Sequence, residues 1–360
     1  MNLPMHQETP GRLHGLGTSR PLQLLAGLLA ALTLMGAAPN VQAQQGGLRE
    51  RIRERMAERR EVRKPGAETD ADLASPGTHK GRIVVMGQER LFMVHVPPGH
   101  RPGEPLPMVL AFHGGGSMEL QADDSRYGLI SKADSAGFIA VFPNGHSGMP
   151  NHHLATWNAG GCCGSARDSG SEDVAFVRAL IEHLRQRLPV DARRIYAVGM
   201  SNGAMMSHRL ACEMSDLLAG IAAVAGTDAT SSCNPRRPIP VLMIHALDDD
   251  HVLYQGGAGP DAFRDSSKVM DFVSVPETER RWAQRNQCSG TPQRVLDAPG
   301  AWCERYSHCA GGVQVQLCTT ETGGHSWPGA ERSRPGKAPP SQALDADDTF
   351  WSFFQAQVSR

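Results

Sequence analysis

Short apolar runs alternate with amphipathic segments over most of the chain. Residues 108–112, 195–198 and 241–245 are almost wholly apolar, which is typical of strands buried on both faces of a sheet. The strongest helical periodicity lies in residues 172–188, with Ser171 as the predicted N-cap. Further predicted strands are 82–85, 90–96, 138–142, 221–225 and 313–319, and further predicted helices are 127–136, 204–211, 276–286 and 349–358. This alternation predicts an α/β fold with a mostly parallel central sheet and helices on both faces.

The N-terminal region has a different pattern. Arg12 and Arg20 precede an apolar run over residues 22–34, and Val41-Gln-Ala43 has small residues at the positions of a cleavage site. This arrangement predicts a signal peptide over residues 1–43, and therefore a secreted or periplasmic protein. The apolar run is shorter than the about 20 residues that span a bilayer, so we expect no stable membrane insertion after signal removal. A retained membrane anchor is the alternative.

Residues 44–77 are rich in arginine and glutamate. Leu48, Ile52 and Met56 follow one another at helical spacing, so a helix there would carry only a thin apolar stripe. We interpret the segment as a linker, partly helical or disordered, that precedes a single folded domain over residues 78–360. The alternative is a basic segment that binds a polyanion or the cell envelope. The formal net charge of the whole chain is −1, so no overall positive field favours nucleic acid as a partner.

Eight cysteines form an even set, which an exported chain would use in disulfides. Two local bridges could join the late cysteines, which are Cys288, Cys303, Cys309 and Cys318. The earlier cysteines form a second set, which consists of Cys162, Cys163, Cys212 and Cys233. Adjacent cysteines seldom bridge each other, so Cys162 and Cys163 are each expected to pair elsewhere. A zinc site is disfavoured because the cysteines show no paired Cys-x-x-Cys spacing.

The most informative stretch is Gly199-Met-Ser201-Asn-Gly203, which directly follows one predicted strand and opens a predicted helix. A serine on a sharp turn between strand and helix is the context of a nucleophile elbow. Gly199 and Gly203 remove Cβ atoms where the turn presses on both elements, so that the serine can stand exposed on a strained backbone. The stretch therefore predicts Ser201 as a nucleophile.

A nucleophilic serine needs a base, and the base needs an orienting carboxylate, in the chain order Ser, acid, His. His325 lies among glycines just after the last predicted strand and is the predicted base. The acid should follow the strand that ends at residue 245, and three aspartates compete there: Asp248, Asp249 and Asp250. A cation site with His251 nearby is the alternative, which we disfavour because hard cations need spaced oxygen ligands rather than neighbouring ones. We therefore expect no metal.

Backbone N–H groups are predicted to bind the oxyanion of an acyl-transfer reaction. One belongs to Asn202, the residue after the nucleophile, and the second comes from His113-Gly-Gly-Gly116, with Gly115 preferred to Gly114. Three side chains on these loops are predicted to contact substrate: His113, Trp157 and Trp327. For both tryptophans, structural packing is the alternative.

From about Arg82 to Phe354 the chain carries a set of stretches found together in one family. They are Phe112-His-Gly-Gly-Gly116, Trp157-Asn-Ala-Gly-Gly-Cys-Cys-Gly164, Glu172-Asp-Val-Ala-Phe176, Gly199-Met-Ser-Asn-Gly-Ala-Met205, Arg209-Leu-Ala-Cys212, Pro276-Glu-Thr278, Trp282-Ala283 and Gly323-Gly-His-Ser-Trp-Pro-Gly329. With them the chain resembles secreted polyhydroxybutyrate depolymerase-like esterases, which are close to the feruloyl and acetyl-xylan esterases of the α/β-hydrolase group. These stretches are specific for the family and not for its substrate.

The resemblance implies a single α/β-hydrolase domain with Ser201 as nucleophile and His325 as base. The family's acid loop has the form His-Gly-x-x-Asp-x-x-Val, which implies Asp249 as the acid, although Ala246 stands where the family has glycine. The resemblance also implies that the adjacent cysteines form disulfides and that no cofactor is required. The implied substrate is an ester, either of hydroxyalkanoate oligomers or of an acyl group linked to plant polysaccharide.

Residues and resemblance together predict an exported serine carboxylesterase, with no indication of its oligomeric state. One alternative is a serine peptidase of the same fold. Another is a non-catalytic envelope or polymer-binding protein on a hydrolase scaffold, against which the complete Ser, Asp and His set argues.

Overall fold

One mixed sheet of ten strands forms the centre of the residues that the computed structural model describes, which are 72–101, 103–149, 154–262, 266–332 and 337–358. The strands are Gly77–Val85 (β1), Gln88–Val96 (β2), Leu106–Phe112 (β3), Ile139–Pro143 (β4), Val190–Met200 (β5), Gly220–Val224 (β6), Val241–Ala246 (β7), Gln293–Ala298 (β8), Ala301–Tyr306 (β9) and Val315–Thr320 (β10). Across the sheet they follow the order β1-β2-β4-β3-β5-β6-β7-β10-β9-β8. The predicted signal peptide, and the predicted linker up to residue 71, lie outside the described residues.

The centre of the sheet is parallel and its two edges are antiparallel. The strands from β4 through β3, β5, β6 and β7 to β10 run parallel to their neighbours, while β1, β2, β8 and β9 form antiparallel pairs. Along β3, Met108 and Leu110 belong to one hydrophobic cluster, and Val109 and Ala111 belong to the other. Both faces of the centre are therefore buried, which explains the uninterrupted apolar runs and confirms the predicted mostly parallel sheet.

Helices cover both faces of the sheet. Those described are Met118–Gln121 (α1), Asp124–Tyr127 (α2), Leu129–Ala136 (α3), Gly164–Asp168 (α4), Asp173–Arg185 (α5), Asn202–Glu213 (α6), Val275–Arg285 (α7) and Ala346–Val358 (α8). Phe176 of α5, Leu210 of α6 and Trp282 of α7 belong to one cluster, whereas Leu129 of α3 and Phe350 of α8 belong to the other. In the described part of the chain, no helix combines the length and the apolar character needed to cross a bilayer.

Two local features differ from the sequence-based expectation. Helix α5 begins at Asp173, and Ser171 does not cap it, because its hydroxyl donates to Asp173 Oδ1 at 2.9 Å instead. The hairpin of β8 and β9, which turns at Gly300, was not among the predicted strands. Strand β8 lies at the sheet edge and is exposed along most of its length, so it carries no apolar alternation that a sequence pattern could show.

Four disulfides join all eight cysteines: Cys162–Cys163, Cys212–Cys233, Cys288–Cys309 and Cys303–Cys318. The last two confirm the prediction of two local bridges late in the chain. The prediction that Cys162 and Cys163 each pair elsewhere is wrong. The loop folds back on itself there, since Ala159 N–H donates to Cys162 O at 2.6 Å and Cys163 N–H donates to Trp157 O at 3.2 Å.

Candidate active site

Three parallel strands carry the predicted site residues just beyond their carboxyl ends. β5 ends at Met200, directly before Ser201, and β7 ends at Ala246, shortly before the three aspartates. β10 ends at Thr320, five residues before His325. Because parallel strands end at the same edge of a sheet, the fold brings these segments to one side of the molecule.

Ser201 occupies a strained turn that its surroundings hold in place. Its backbone has φ 57° and ψ −123°, and its N–H donates to Val224 O at 2.9 Å. A side chain on Gly199 would overlap the backbone of Gly203, and one on Gly203 would overlap the backbone of Phe112. The two glycines therefore allow the helix to pack closely enough to force the serine into this conformation.

His325 is paired with a buried carboxylate. Its Nδ1 lies 2.9 Å from Asp249 Oδ2 and 3.1 Å from Oδ1, and the exposed fractions of the two residues are 8% and 2%. Asp249 also accepts the backbone N–H groups of His251 and Val252, and His245 Nε2 lies 3.2 Å from its Oδ2. Burial by itself would raise the pKa of Asp249, but the charge of His325 and the hydrogen bonds from His245 and His325 hold it well below its ordinary value. Asp249 is therefore an ionised partner for His325.

The two neighbouring aspartates hold the loops around this pair. Asp248 Oδ1 accepts the N–H of Gly324 at 2.8 Å and so fixes the residue before His325. Asp250 Oδ1 lies 2.6 Å from His251 Nδ1, and its Oδ2 accepts from Lys337 Nζ at 2.9 Å. Burial tends to raise the pKa of Asp250, but the hydrogen bonds from Lys337 and His251 lower it to about 2. Of the three aspartates, Asp249 is the one that the structure brings to His325.

Donor atoms of Asp249, His251 and His325 lie within 4.8 Å of one another, which is close enough for three ligands of one metal ion. The two imidazole rings are stacked, with centroids 4.3 Å apart and planes at 10°. Their in-plane lone pairs therefore run side by side and do not converge on one point, as the ligands of a tetrahedral ion must. The contacts are those of hydrogen-bonded and stacked side chains.

The described hydrogen bonds of His325 all go to Asp249, and none joins its ring to Ser201 Oγ. In serine hydrolases the hydrogen bond between serine and histidine is often long or poorly aligned before substrate binds, and it tightens in the complex.

Two backbone segments meet next to Ser201. A Cβ atom on Gly114 would lie 3.1 Å from the Cβ of Ser201, so the glycine-rich turn runs directly beside the serine. Asn202 opens α6, and N–H groups in the first helical turn have no acceptor within the helix. The N–H of Gly116 donates to Ala155 O at 3.1 Å and is therefore not available to bind an oxyanion.

His113 fixes the orientation of the glycine-rich turn. Its Nδ1–H donates to Gly114 O at 2.6 Å, and its Nε2 accepts from Gly145 N–H at 2.9 Å, so the ring is the neutral Nδ1–H tautomer. Burial lowers the pKa of His113 to about 4, although the hydrogen bond to Gly114 opposes the shift. In a trans peptide the carbonyl and the following N–H point in opposite directions, so Gly115 N–H points away from the His113 ring.

The three side chains predicted to contact substrate lie in the interior. His113 is 1% exposed with both ring nitrogens engaged, so it supports the glycine-rich turn. Trp157 is fully buried, its indole N–H donates to His113 O, and its backbone forms two hydrogen bonds with the Asn202 side chain. Trp327 is 3% exposed and packs edge-to-face on Tyr127 at 5.4 Å. These contacts favour a packing role for all three side chains, and direct contact with substrate stays a prediction.

A buried ion pair, which sequence reasoning missed, braces the loop that contains Trp157. Arg90 Nη2 lies 2.6 Å from Asp173 Oδ1, and the guanidinium stacks 4.0 Å above the Phe176 ring. Asp173 Oδ2 accepts the N–H of Asn158 at 2.8 Å. Asp173 falls within a stretch that the family shares, but an acidic residue in the first turn of a helix is ordinarily exposed, so nothing in the sequence marked it as buried.

Comparison with known proteins points to esterases. A family model described as "Esterase PHB depolymerase" matches residues 91–234. The chain is 32% identical over 243 residues to feruloyl esterase B of Piromyces equi, a match that covers 66% of this chain but only 42% of that relative. It is 30% identical over 273 residues to the putative esterase NocK of Nocardia uniformis subsp. tsuyamanensis, covering 71% of this chain and 76% of that relative.

Among solved structures, an acetyl xylan esterase from Aspergillus awamori aligns with a TM-score of 0.50 at 13% identity, over 77% of this chain and 99% of that one. At this level of identity the likeness concerns the fold alone. It confirms the predicted α/β-hydrolase fold.

Proposed function

Because the chain belongs to the esterase PHB depolymerase family, we propose that it is an exported serine carboxylesterase that uses Ser201, Asp249 and His325. The observation that carries the proposal is the pairing of His325 with buried Asp249, on loops at the strand edge where Ser201 stands on its strained turn. A base held by an ionised carboxylate is what a serine hydroxyl needs to become a nucleophile.

In the first step Ser201 Oγ attacks the ester carbonyl carbon while His325 Nε2 takes the hydroxyl proton. Asp249 stabilises the imidazolium that forms, and its own ionisation is secured by its hydrogen bonds. The N–H groups of Asn202 and Gly115 bind the oxyanion of the tetrahedral intermediate. Loss of one such donor typically lowers kcat on the order of a hundredfold or more.

In the second step the intermediate collapses, the carbon–oxygen bond to the alcohol breaks, and His325 returns its proton to the leaving oxygen. Water then attacks the acyl-enzyme with His325 as base, which releases the carboxylic acid and restores the serine hydroxyl. These steps use residues of this chain and water, and require no cofactor.

For the substrate we propose an ester of a hydroxyalkanoate oligomer, with a feruloyl or acetyl ester on polysaccharide as the alternative. The description of the family model supports the first, and the name of feruloyl esterase B supports the second. The chain spans less than half of feruloyl esterase B, so that relative supports an ester substrate more strongly than a particular acyl group.

Export is part of the same proposal. Four disulfides suit an oxidising compartment, and residues 1–43 have the pattern of a signal peptide. N-terminal sequencing of protein recovered outside the cytoplasm should then begin at Gln44. A product that retains Met1 in the cell would contradict export.

The function is tested with purified protein and a panel of p-nitrophenyl acetate, p-nitrophenyl butyrate, methyl ferulate and a 3-hydroxybutyrate oligomer, each measured beside Ser201→Ala. We expect turnover that the substitution abolishes, with a preference that identifies the acyl group. Turnover that Ser201→Ala leaves intact would overturn the site, and absence of turnover by folded, disulfide-bonded protein on every ester would overturn the proposed function.

A further inference from the structure

A second aspartate–histidine pair lies directly beside the proposed triad. His251 Nδ1 is 2.6 Å from Asp250 Oδ1, and its ring stacks on that of His325 with centroids 4.3 Å apart and planes at 10°. Its backbone N–H donates to Asp249 Oδ1 at 2.8 Å, so the same carboxylate that holds the base also holds His251. His251 is 9% exposed, close to the 8% of His325. The two imidazoles therefore form one rigid, largely buried unit.

The stacked ring constrains the base mechanically. It covers one face of the His325 imidazole, while Asp249 holds its Nδ1. Rotation of His325 about its side-chain torsions would break either the stacking or the hydrogen bond. A base held in this way keeps its Nε2 in one direction, which is the direction in which a proton must be transferred.

The stacked ring of His251 also acts on His325 electrostatically. During acyl transfer His325 becomes an imidazolium, and a charge on a ring 4.3 Å away acts on it directly. Two positive charges at this distance repel each other even at the effective dielectric constant of a partly solvated protein site. A protonated His251 therefore opposes proton uptake by His325, and a neutral one does not.

Several charged groups of the described residues set the charge of His251. Asp250 on its Nδ1 favours the protonated ring, and Asp249 lies on its backbone side. Lys337 contacts Asp250 and Asp261, so it partly neutralises the carboxylate that would hold a proton on His251. His325 itself faces the ring and disfavours a second positive charge. Asp250 therefore favours the protonated form of His251, whereas Lys337 and His325 favour the neutral form. Removing any one of these groups should change the protonation of His251 in a predictable direction.

We propose that His251 is a positioning residue that must be neutral for turnover, so that Asp250 and Lys337 set the acid limit of the reaction through the ring stacked on His325. This inference rests on the proposed function, in which His325 is the base. On the acid side, kcat/KM then falls with the uptake of the first proton by either of the two stacked rings, because they titrate as one coupled pair.

The test is the pH profile of kcat/KM on p-nitrophenyl butyrate for the full chain and three variants. His251→Phe keeps an aromatic ring on His325 but carries no proton, so the acid limb should depend on His325 alone and move to lower pH. Asp250→Asn removes the carboxylate that favours protonated His251 and should move the acid limb down by about 0.5 to 1 pH unit. Lys337→Met removes the cation that contacts Asp250 and should move the limb up by a similar amount. An acid limb that does not move in His251→Phe, or shifts of the same sign in Asp250→Asn and Lys337→Met, would overturn the proposal.

A second readout does not depend on ester turnover. The titration of His325, followed by NMR through its imidazole Cε1–H signal, should move to higher pH in His251→Phe because the neighbouring positive charge is gone. An unchanged midpoint would overturn the coupling even if no ester in the panel were a substrate. Conversely, a clear shift with no turnover would count against the proposed function alone. Should His251→Phe fail to fold, Asp250→Asn and Lys337→Met provide the same NMR test with opposite expected signs.

Discussion

His325 and His113 are two buried histidines on the loops around Ser201, and they have opposite hydrogen-bonding partners. His325 presents its Nδ1 to the carboxylate of Asp249, and the described contacts place no hydrogen bond on its Nε2. His113 donates from Nδ1 to a backbone carbonyl and accepts at Nε2 from a backbone N–H, and burial lowers its pKa to about 4. Burial alone therefore does not make a histidine a base. A histidine becomes a base when a carboxylate stabilises its charged ring. Two backbone partners instead hold the ring neutral and fix its orientation.

The largest effect should come from removing the carboxylate that distinguishes His325. Asp249→Asn keeps the shape but removes the charge that favours the imidazolium, and we expect kcat to fall by about 10³- to 10⁴-fold. Asp248→Asn is the matched control, since among the described residues the hydrogen bond of Asp248 goes to Gly324 N, beside His325. It should retain most of the activity, as measured by steady-state hydrolysis of p-nitrophenyl butyrate. Equal losses in the two variants would mean that the aspartates act only by holding the loops.

A smaller effect on kcat is expected from removing the His113 side chain. His113→Ala leaves Gly114 O and Gly145 N–H without their partner and frees the peptide that orients Gly115 N–H. We expect kcat to fall about 10- to 100-fold with KM little changed, because an oxyanion donor acts mainly in the transition state.

The control for this variant is His208→Ala. His208 is also buried, accepts from Trp282 Nε1–H at 2.9 Å, and has a pKa lowered by burial to about 4, but it lies on α6 away from the glycine-rich turn. Both variants should lose about 1 to 3 kcal/mol of stability from an unpaired buried polar group, as measured by urea unfolding. Only His113→Ala should lose kcat. If both lose it equally, His113 has no special relation to the oxyanion donor.

The smallest effect concerns stability in acid. The folded-state pKa of His208, about 4, lies below its ordinary value of 6.5, so between these values the unfolded chain binds a proton that the folded chain excludes. The contribution of this residue to stability is thus complete above pH 6.5 and is lost as pH falls toward 4, by about 1.4 kcal/mol per pH unit. His208→Gln cannot titrate, so its stability deficit relative to the unsubstituted protein should shrink as unfolding is measured from pH 7 down to pH 5. A deficit that stays constant would show that His208 is not held neutral.

Much of the fold and of the site could be predicted from local patterns. The uninterrupted apolar runs are a direct consequence of burial on both sheet faces, and the glycines around Ser201 are required by the close contact of strand, turn and helix. The choice of Asp249 among three adjacent aspartates depended on family resemblance, because only the folded loop determines which carboxylate turns toward His325.

What could not be predicted depends on contacts between distant segments. The sequence predicts that His113 and Trp157 contact substrate, yet Trp157 donates its indole N–H to His113 O and its backbone N–H to Asn202 Oδ1. Likewise, nothing local indicated that His251 would stack on a residue more than seventy positions away. These contacts depend on which side chains of a loop point toward the core. A single sequence does not determine the orientation of loop side chains.

The most direct test of the account is covalent labelling of the folded protein with a fluorophosphonate, followed by peptide mapping. An activated serine attacks phosphorus and keeps the label, whereas ordinary serines do not react. The account predicts one label per chain, on the peptide that contains Ser201, and a strong loss of labelling rate in Asp249→Asn. A label on another residue, or folded protein that hydrolyses esters without being labelled at Ser201, would contradict it.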